Sequence, residues 1–181
     1  VWGPVATAVG RDSSFGPVAR AAEMDLAMVL PRASVKGLFL PRTERVLTYA
    51  TGKQRADVET VAPPDAQRVI FGVRPCDAAS LVILDPLFNW DYRDEYWNRR
   101  REHTTVVVVA CTEKDAFCMC TSLGFAPDSP KGADVLLRPL ADGSGWQVET
   151  LSPKGEALVA GSAAGLGEVG EPALARLADV P

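Results

Sequence analysis

The sequence predicts an α/β fold, with α+β as the related alternative, built on a central mixed sheet. Two short apolar runs, Arg68–Val73 and residues 104–110, have the pattern of buried parallel strands. Two segments with helical spacing lie between them, so strand, helix, helix and strand follow one another as in a parallel βαβ unit. Hairpin patterns near the amino terminus and after residue 134 flank this unit.

The first part of the chain has the Gly and Pro spacing of a hairpin. Its strands are predicted at residues 5–9 and 15–19, around a polar turn at 10–14. Residues 25–30, which Pro31 follows, predict a short helix or an extended segment. Three further elements are predicted from Ser, Pro and Gly boundaries: one or two helical turns at 34–40, a strand at 45–50, and a turn at Thr51 and Gly52.

Between the two central strands the sequence predicts two helices. Asp77 is the favoured N-cap of the first, which spans residues 78–84 and ends or kinks at Pro86. The second spans residues 91–101, and its charged residues are predicted to form a solvated face with i,i+4 pairs. Three aromatic side chains recur there at helical spacing, and they either pack against the sheet or form a docking face for a protein partner: Tyr92, Tyr96 and Trp97.

The last third of the chain predicts a second hairpin and then a tail. The hairpin strands are residues 135–140 and 146–151. Further on, alanine and glycine dominate, and residues 172–178 have the pattern of a final short helix. We therefore expect one α/β domain over residues 1–160 and an Ala/Gly-rich tail or linker over residues 161–181.

Composition and motifs narrow the classes of function. The 181 residues are 47% hydrophobic and 23% charged with a net charge of −4, and residues 99–101 form the one basic run, so nucleic acid is not an expected partner. No apolar run approaches a membrane span, no signal peptide opens the sequence, and a cytoplasmic location is expected. No Gly-rich nucleotide motif follows a strand. The sequence has one histidine, His103, which excludes a histidine-rich metal site. His103 is predicted to lie at the end of a helix.

All four cysteines fall where a ligand is expected. Cys76 follows the strand Arg68–Val73, and Cys111 follows the second central strand directly. If the two strands are parallel neighbours, both cysteines emerge at the carboxyl edge of the sheet, where open α/β sheets bind ligands. Cys118 and Cys120 lie on the loop that leaves the same edge. The sequence therefore predicts that four thiols converge.

Several chemistries fit four convergent thiols. An iron–sulfur cluster or zinc suits soft sulfur ligands. Two disulfides would need an oxidising compartment, which nothing in the sequence indicates. Cys118 and Cys120 are spaced more tightly than the pairs of common zinc modules. The alternative without a site is four thiols that pack as small hydrophobes.

A set of motifs in matching order resembles a known family. Over residues 1–155 the chain is similar to the amino-terminal region of iron–sulfur electron-transfer subunits, the family of the sulfhydrogenase beta subunit and of its counterpart in anaerobic sulfite reductase. The motifs that carry the resemblance are Phe-Gly-Val-Arg-Pro-Cys-Asp at 71–77, Leu-Asp at 84–85, Val-Ala-Cys-Thr at 109–112, Phe-Cys-Met-Cys-Thr-Ser-Leu-Gly at 117–124, Gly-Ala-Asp at 132–134 and Pro-Arg-Thr-Glu at 41–44.

The resemblance implies a protein that relays electrons between redox subunits, such as hydrogenase, sulfite reductase or similar flavin- or metal-containing partners. Family members also carry a ferredoxin-like region with two Cys-x₂-Cys-x₂-Cys-x₃-Cys-Pro runs, which this sequence lacks. Residues 161–181 would then link to that region. We expect one [4Fe-4S] cluster on Cys76, Cys111, Cys118 and Cys120, from their convergence and with the support of the resemblance. The alternative is a clusterless scaffold that packs against a ferredoxin region and a partner subunit.

Side chains near the cysteines are candidate cofactor-binding residues. Arg74 either places a cation beside the cluster, which raises its potential, or pairs with Asp77 or Asp85. The helix that Asp77 caps would also favour a thiolate or cluster at its amino terminus. Three hydroxyl groups either donate hydrogen bonds to cluster sulfurs or act as ordinary loop and capping groups: Thr112, Thr121 and Ser122.

Overall fold

The computed structural model describes residues 1–6, 13–26, 31, 33–52, 55–114 and 116–162. Within these residues the chain forms eight strands and three α-helices. The strands are β1 (Trp2–Ala6), β2 (Ser13–Pro17), β3 (Leu47–Thr51), β4 (Ala56–Thr60), β5 (Arg68–Val73), β6 (Thr104–Val109), β7 (Val135–Pro139) and β8 (Trp146–Thr150). The helices are α1 (Pro75–Leu84), α2 (Glu95–Glu102) and α3 (Pro153–Ala160).

Six strands form one mixed sheet in the order β2-β1-β5-β6-β7-β8. Strands β1, β5, β6 and β7 are parallel, and β2 and β8 pair antiparallel at the two edges. In the centre Ile70 lies opposite Val106, and Val73 opposite Val108. The predicted α/β class, with its parallel centre and flanking hairpins, is confirmed.

The first face of the sheet is covered by α1 and α2. Ile70, Val106 and Val108 are fully buried there, against Leu81 of α1. Trp97 of α2 is 1% exposed, stacks on Phe88 and donates from Nε1 to Asp85 at 2.9 Å. The continuous apolar runs of β5 and β6 are thus explained by burial in the middle of the sheet.

The second face is covered in part by α3, a helix that was not predicted from the sequence. Leu158 and Val159 pack on the valines of β6 and β7. Ser152 caps the helix, since its Oγ accepts from the Gly155 N–H at 3.3 Å. Asp134 joins this cap to the sheet: its carboxylate accepts from the Ser152 hydroxyl and from the Val106 N–H at 2.8 Å. The cap was not predicted from the sequence, because alanine and glycine dominate the segment that follows Ser152.

Strands β3 and β4 form a separate hairpin whose residues are all exposed. The residues that flank the hairpin contact α2, because the Tyr96 hydroxyl donates to the carbonyls of Val46 and Val61. Strand β4 was not predicted, since its polar sequence lacks a clear alternation of apolar residues. The three aromatic residues therefore have different roles: Tyr96 holds the hairpin against α2, Trp97 packs in the core, and Tyr92 is exposed.

The first helix begins three residues earlier than predicted, and Asp77 is not its N-cap. The N-cap is Arg74, and Pro75 occupies the first helical position, where its fixed φ suits the helix and its missing N–H costs nothing. The Asp77 carboxylate instead accepts from Ser34 Oγ at 2.6 Å and from Lys36 Nζ at 3.3 Å. It thereby ties α1 to the short 3₁₀ helix Val35–Leu38, where helical turns were predicted.

The second helix is shorter than predicted because Asp94 caps it. The Asp94 carboxylate accepts from the Trp97 N–H at 2.7 Å. Arg100 is not on a solvated face: it is 7% exposed and pairs with Glu44. His103 is the C-cap residue, which confirms its predicted place at a helix end.

Other differences lie near the ends of the chain. The amino-terminal hairpin forms, but β1 begins three residues before the predicted strand. The predicted turn at 10–14 lies mostly outside the described residues, as do most of segment 25–30 and the tail and helix predicted after residue 162. In the part of the chain that the structure describes, no helix has the length and apolar character needed to cross a membrane.

The close approach of the loop before β7 to α1 depends on a glycine. Gly132 has a φ of +83°, and a Cβ there would lie 2.2 Å from the carbonyl oxygen of Ala78. Gly143 has a similar φ of +73° but faces open space. An alanine at Gly143 would therefore introduce backbone strain alone, whereas an alanine at Gly132 would introduce strain and a steric clash together.

We expect Gly143→Ala to lower the free energy of unfolding by about 1 kcal/mol, through the left-handed φ alone. Gly132→Ala should lower it by about 1–3 kcal/mol more, because α1 or the loop must move. Urea denaturation followed by circular dichroism measures both. Equal losses for the two variants would show that the Gly132 contact is not a constraint.

Candidate metal centre

The parallel pairing of β5 and β6 brings the first two cysteines to one edge of the sheet. Cys76 is the second residue of α1, which follows β5 after Arg74. Cys111 lies two residues beyond the end of β6, and its N–H donates to the carbonyl of Pro127 at 2.9 Å. The predicted convergence of these two residues at the carboxyl edge is what the topology produces.

The other two cysteines lie on the loop that follows Cys111. Cys120 precedes a 3₁₀ turn, Thr121–Leu123, and its carbonyl accepts from the N–H groups of Leu123 at 3.1 Å and of Phe125 at 2.9 Å. These bonds fold the loop back towards the start of α1. Cys118 lies two residues earlier, on the exposed part of the same loop.

All four cysteines line one cavity of about 110 Å³. Among the described residues its wall is mostly apolar, and the polar side chains besides the cysteines are Glu113, Lys114 and Thr121. The apolar residues of the wall are Pro75, Phe117, Met119, Leu123, Ala126 and Pro127. Four cysteines thus surround a small space with few polar neighbours.

The thiols are not assembled into a metal-binding group. None of the four cysteines is in a disulfide. Among the described residues, no three side chains of the His, Cys, Asp and Glu types lie close enough together to hold one metal ion. What the structure provides is a shared cavity and not a finished coordination shell.

Burial dominates the electrostatics of Cys111. It raises the pKa of this thiol to about 11, well above its ordinary value of 9.0. The guanidinium of Arg74 acts in the opposite direction and favours the thiolate. Negative charge on the sulfurs of Cys76, Cys118 and Cys120 would raise the pKa further, so the four sulfurs act on one another.

Cys76 lies at the amino terminus of α1, where opposing influences act on the pKa of its thiol. Burial first, and then the charge of Asp77, raise the pKa of its thiol. The backbone N–H groups of Asp77 and of Cys76 itself lower it, because they hydrogen-bond the sulfur. The helix terminus therefore offers donors to a thiolate, as expected for this position.

Arg74 lies beside the cavity and does not form the ion pairs considered for it. Asp77 pairs with Lys36, and Asp85 pairs with Arg101. Arg74 is 6% exposed, and its Nε has no hydrogen-bond partner among the described residues. Its charge is felt at Cys111, but its side chain lines a neighbouring cavity.

The three hydroxyl residues have different positions. Thr121 lines the cavity of the cysteines. Thr112 lines the neighbouring cavity, together with Arg74. Ser122 lies within the 3₁₀ turn and is exposed. Thr112 and Ser122 are therefore not among the described residues that line the cavity of the cysteines.

Sequence reasoning did not single out the apolar rim of the cavity. Phe117, Met119 and Leu123 are 81%, 60% and 62% exposed, although each lines the cavity. Large apolar residues that flank cysteines in a loop, away from any strand or helix pattern, were the available signal. Their exposure means that the rim faces solvent.

We expect the half-buried Cys111 of the metal-free protein to react slowly with iodoacetamide at pH 8. The raised pKa leaves about 100-fold less thiolate than an ordinary cysteine has at that pH. The rate should then rise about tenfold per pH unit up to about pH 11, because the thiolate reacts. Peptide mass spectrometry measures the rate, with the same protein in concentrated urea as the control. A folded rate equal to the unfolded rate would contradict the burial of this thiol.

Comparison with known proteins gives one distant relative. The chain is 39% identical over 97 residues to a protein named sulfhydrogenase 2 subunit beta, from Pyrococcus furiosus. The match covers 52% of this chain and 27% of the relative, so the chain corresponds to about a quarter of that protein's length. No family model and no solved structure matches the chain.

An identity of 39% over 97 residues is distant homology, and it agrees with the resemblance in the motifs. The relative is, by its name, one of the subunits of a sulfhydrogenase. Over about half of its length this chain is therefore a distant homologue of a sulfhydrogenase beta subunit.

Proposed function

We propose that this chain is an electron-transfer module of a multi-subunit oxidoreductase and binds one [4Fe-4S] cluster through Cys76, Cys111, Cys118 and Cys120. The observation that carries the proposal is that four cysteines line one small cavity at the carboxyl edge of the sheet. The distant homology to a sulfhydrogenase subunit supports a redox role.

The donor set suits an iron–sulfur cluster. Four thiolates are the usual ligands of a [4Fe-4S] cluster, and soft sulfur ligands select iron–sulfur clusters or zinc over hard cations. Four thiolates that bind four irons lie further apart than four thiolates that bind one zinc ion. The absence of a single-ion site among the described residues is thus compatible with this proposal.

The surroundings of the cavity would tune the bound group. When bound, a cluster accepts and donates single electrons. The N–H of Asp77 can donate to the sulfur of Cys76. The positive charge of Arg74 favours thiolates and the more negative reduced state. Thr121 in the wall, with Thr112 and Ser122 further out, are the proposed hydroxyl donors.

The exposed rim favours exchange of electrons with another protein. Phe117, Met119 and Leu123 surround the cysteines and face solvent. Aromatic residues and methionine are enriched where proteins meet. We propose other redox subunits as partners, of the hydrogenase or sulfite reductase kind or with a similar flavin or metal, in the reducing cytoplasm, where thiols persist. Residues 161–181 would connect this domain to a ferredoxin-like region.

A clusterless scaffold is the second candidate. The observation that favours it is that the four thiols are not grouped as a metal site among the described residues. In that case the domain would hold a ferredoxin-like region against a partner subunit, and the cysteines would be packing residues. The two candidates differ in metal content, which can be measured.

We expect anaerobically prepared protein to contain about four irons and four sulfides per chain and to absorb broadly near about 400 nm. Cys118→Ser and Cys120→Ser should lower the iron content by at least about half, because each removes one ligand. Iron, sulfide and zinc analysis beside the visible spectrum measures this.

Met119→Leu is the matched control, because it lies between the two cysteines, lines the same cavity and removes no thiol. It should retain the full iron and sulfide content. A colourless wild-type protein without metal would contradict the cluster and leave the scaffold. One zinc per chain would also overturn it, and so would full iron content in both Ser variants.

A further inference from the structure

A second cavity adjoins that of the cysteines and has a different character. Its volume is about 140 Å³, and Glu113 lines both cavities, which makes them neighbours. Its other walls come from the ends of β5 and β6 and from the first residue of β8. The residues are Leu26, Arg74, Val109, Ala110, Thr112 and Trp146.

Among the described residues that line this cavity, Arg74 is the one cation. Its side chain is 6% exposed, and its Nε finds no hydrogen-bond partner in the described ranges. A guanidinium stays charged at any ordinary pH, and a buried N–H without a hydrogen-bond partner is destabilising. Asp77, three residues further along the chain, is engaged by Lys36. Among the described residues no carboxylate forms an ion pair with Arg74, and its Nε–H remains available to donate to a ligand.

We propose that this cavity binds one small inorganic oxyanion of the sulfate or phosphate class, with the Arg74 guanidinium as its counter-charge. Guanidinium groups bind oxyanions through paired N–H donors. The Thr112 hydroxyl in the wall is a second donor. Arg74 is also the N-cap residue of the ten-residue helix α1, whose amino-terminal dipole adds positive potential there.

The size and walls of the cavity define the ligand. A volume of about 140 Å³ is well below the ~300–1,000 Å³ of pockets for cofactor-sized ligands, so a nucleotide does not fit inside. The side chains of Leu26 and Val109 offer no hydrogen bonds to a sugar or a base. The carboxylate of Glu113 in the same wall repels an anion and keeps its binding weak.

The anion site does not rest on the proposed cluster. Arg74 lines this cavity and not that of the cysteines, so the guanidinium is available whether or not metal is bound. Arg74 also acts on Cys111 through space, however, so a bound anion would weaken that influence. Anion occupancy and the charge state of the thiols would then be coupled.

Isothermal titration calorimetry of metal-free protein tests the proposal, with chloride buffer at constant ionic strength. Sulfate and inorganic phosphate should each bind at one saturable site. Arg74→Gln should weaken binding by at least about tenfold, because it removes the counter-charge. Glu113→Gln should tighten it by about threefold or more, because it removes a like charge. The two substitutions in the wall of the cavity should therefore change the affinity for the anion in opposite directions.

Arg68→Gln is the matched control, because Arg68 also has a buried Nε without a partner among the described residues but does not line the cavity. It should leave the affinity unchanged. Thr112→Val and Glu113→Gln change exposed residues and keep the test open if Arg74→Gln fails to fold. The proposal is overturned if neither anion binds saturably, if no variant in the cavity changes the affinity, or if adenosine monophosphate binds where inorganic phosphate does not.

Discussion

The parallel pairing of β5 with β6 is the constraint on which the rest of the structure depends. Because Ile70 lies opposite Val106 and Val73 opposite Val108, the two strands end at the same edge of the sheet. The chain must leave that edge at Arg74 after one strand and at Ala110 after the other. Burial of both strands on both faces fixes the register, since a slip by one residue would exchange the residues of the two cores. The position of the cysteines is a consequence of this pairing.

The cavity of the cysteines combines two opposing physical effects. Burial raises the pKa of Cys76 and Cys111, which favours neutral thiols in the metal-free protein. Metal ligation requires thiolates, so it must release protons and supply positive charge in their place. Arg74 and the amino terminus of α1 already provide part of that charge. The four thiols are not grouped before a metal binds. The final positions of their sulfurs would therefore be set by the bound metal or cluster.

The sequence predicted what depends on local pattern and missed what depends on tertiary contacts. Strand β5 was predicted with its observed bounds, because a run of apolar residues between charges has few other interpretations. Asp77 was assigned as an N-cap on propensity, but Pro75 starts the helix earlier and Lys36 takes the carboxylate. The link from Asp134 to the cap of α3 and to β6 joins residues far apart in the chain, whereas the cap itself, from Ser152 to Gly155, is local. The position of the cysteines around one cavity followed from the topology, but the thiols are not grouped there as a metal site among the described residues. The separate cavity beside Arg74 could not be predicted from the sequence.

The most direct test of the proposed cluster is the location of iron in crystals of the anaerobically reconstituted protein. Anomalous diffraction at the iron absorption edge locates iron without any assumption about its ligands. We predict one compact iron density, bonded to the sulfurs of Cys76, Cys111, Cys118 and Cys120, at the carboxyl edge of β5 and β6. Iron density elsewhere, or bonded to fewer than all four sulfurs, would contradict the cluster.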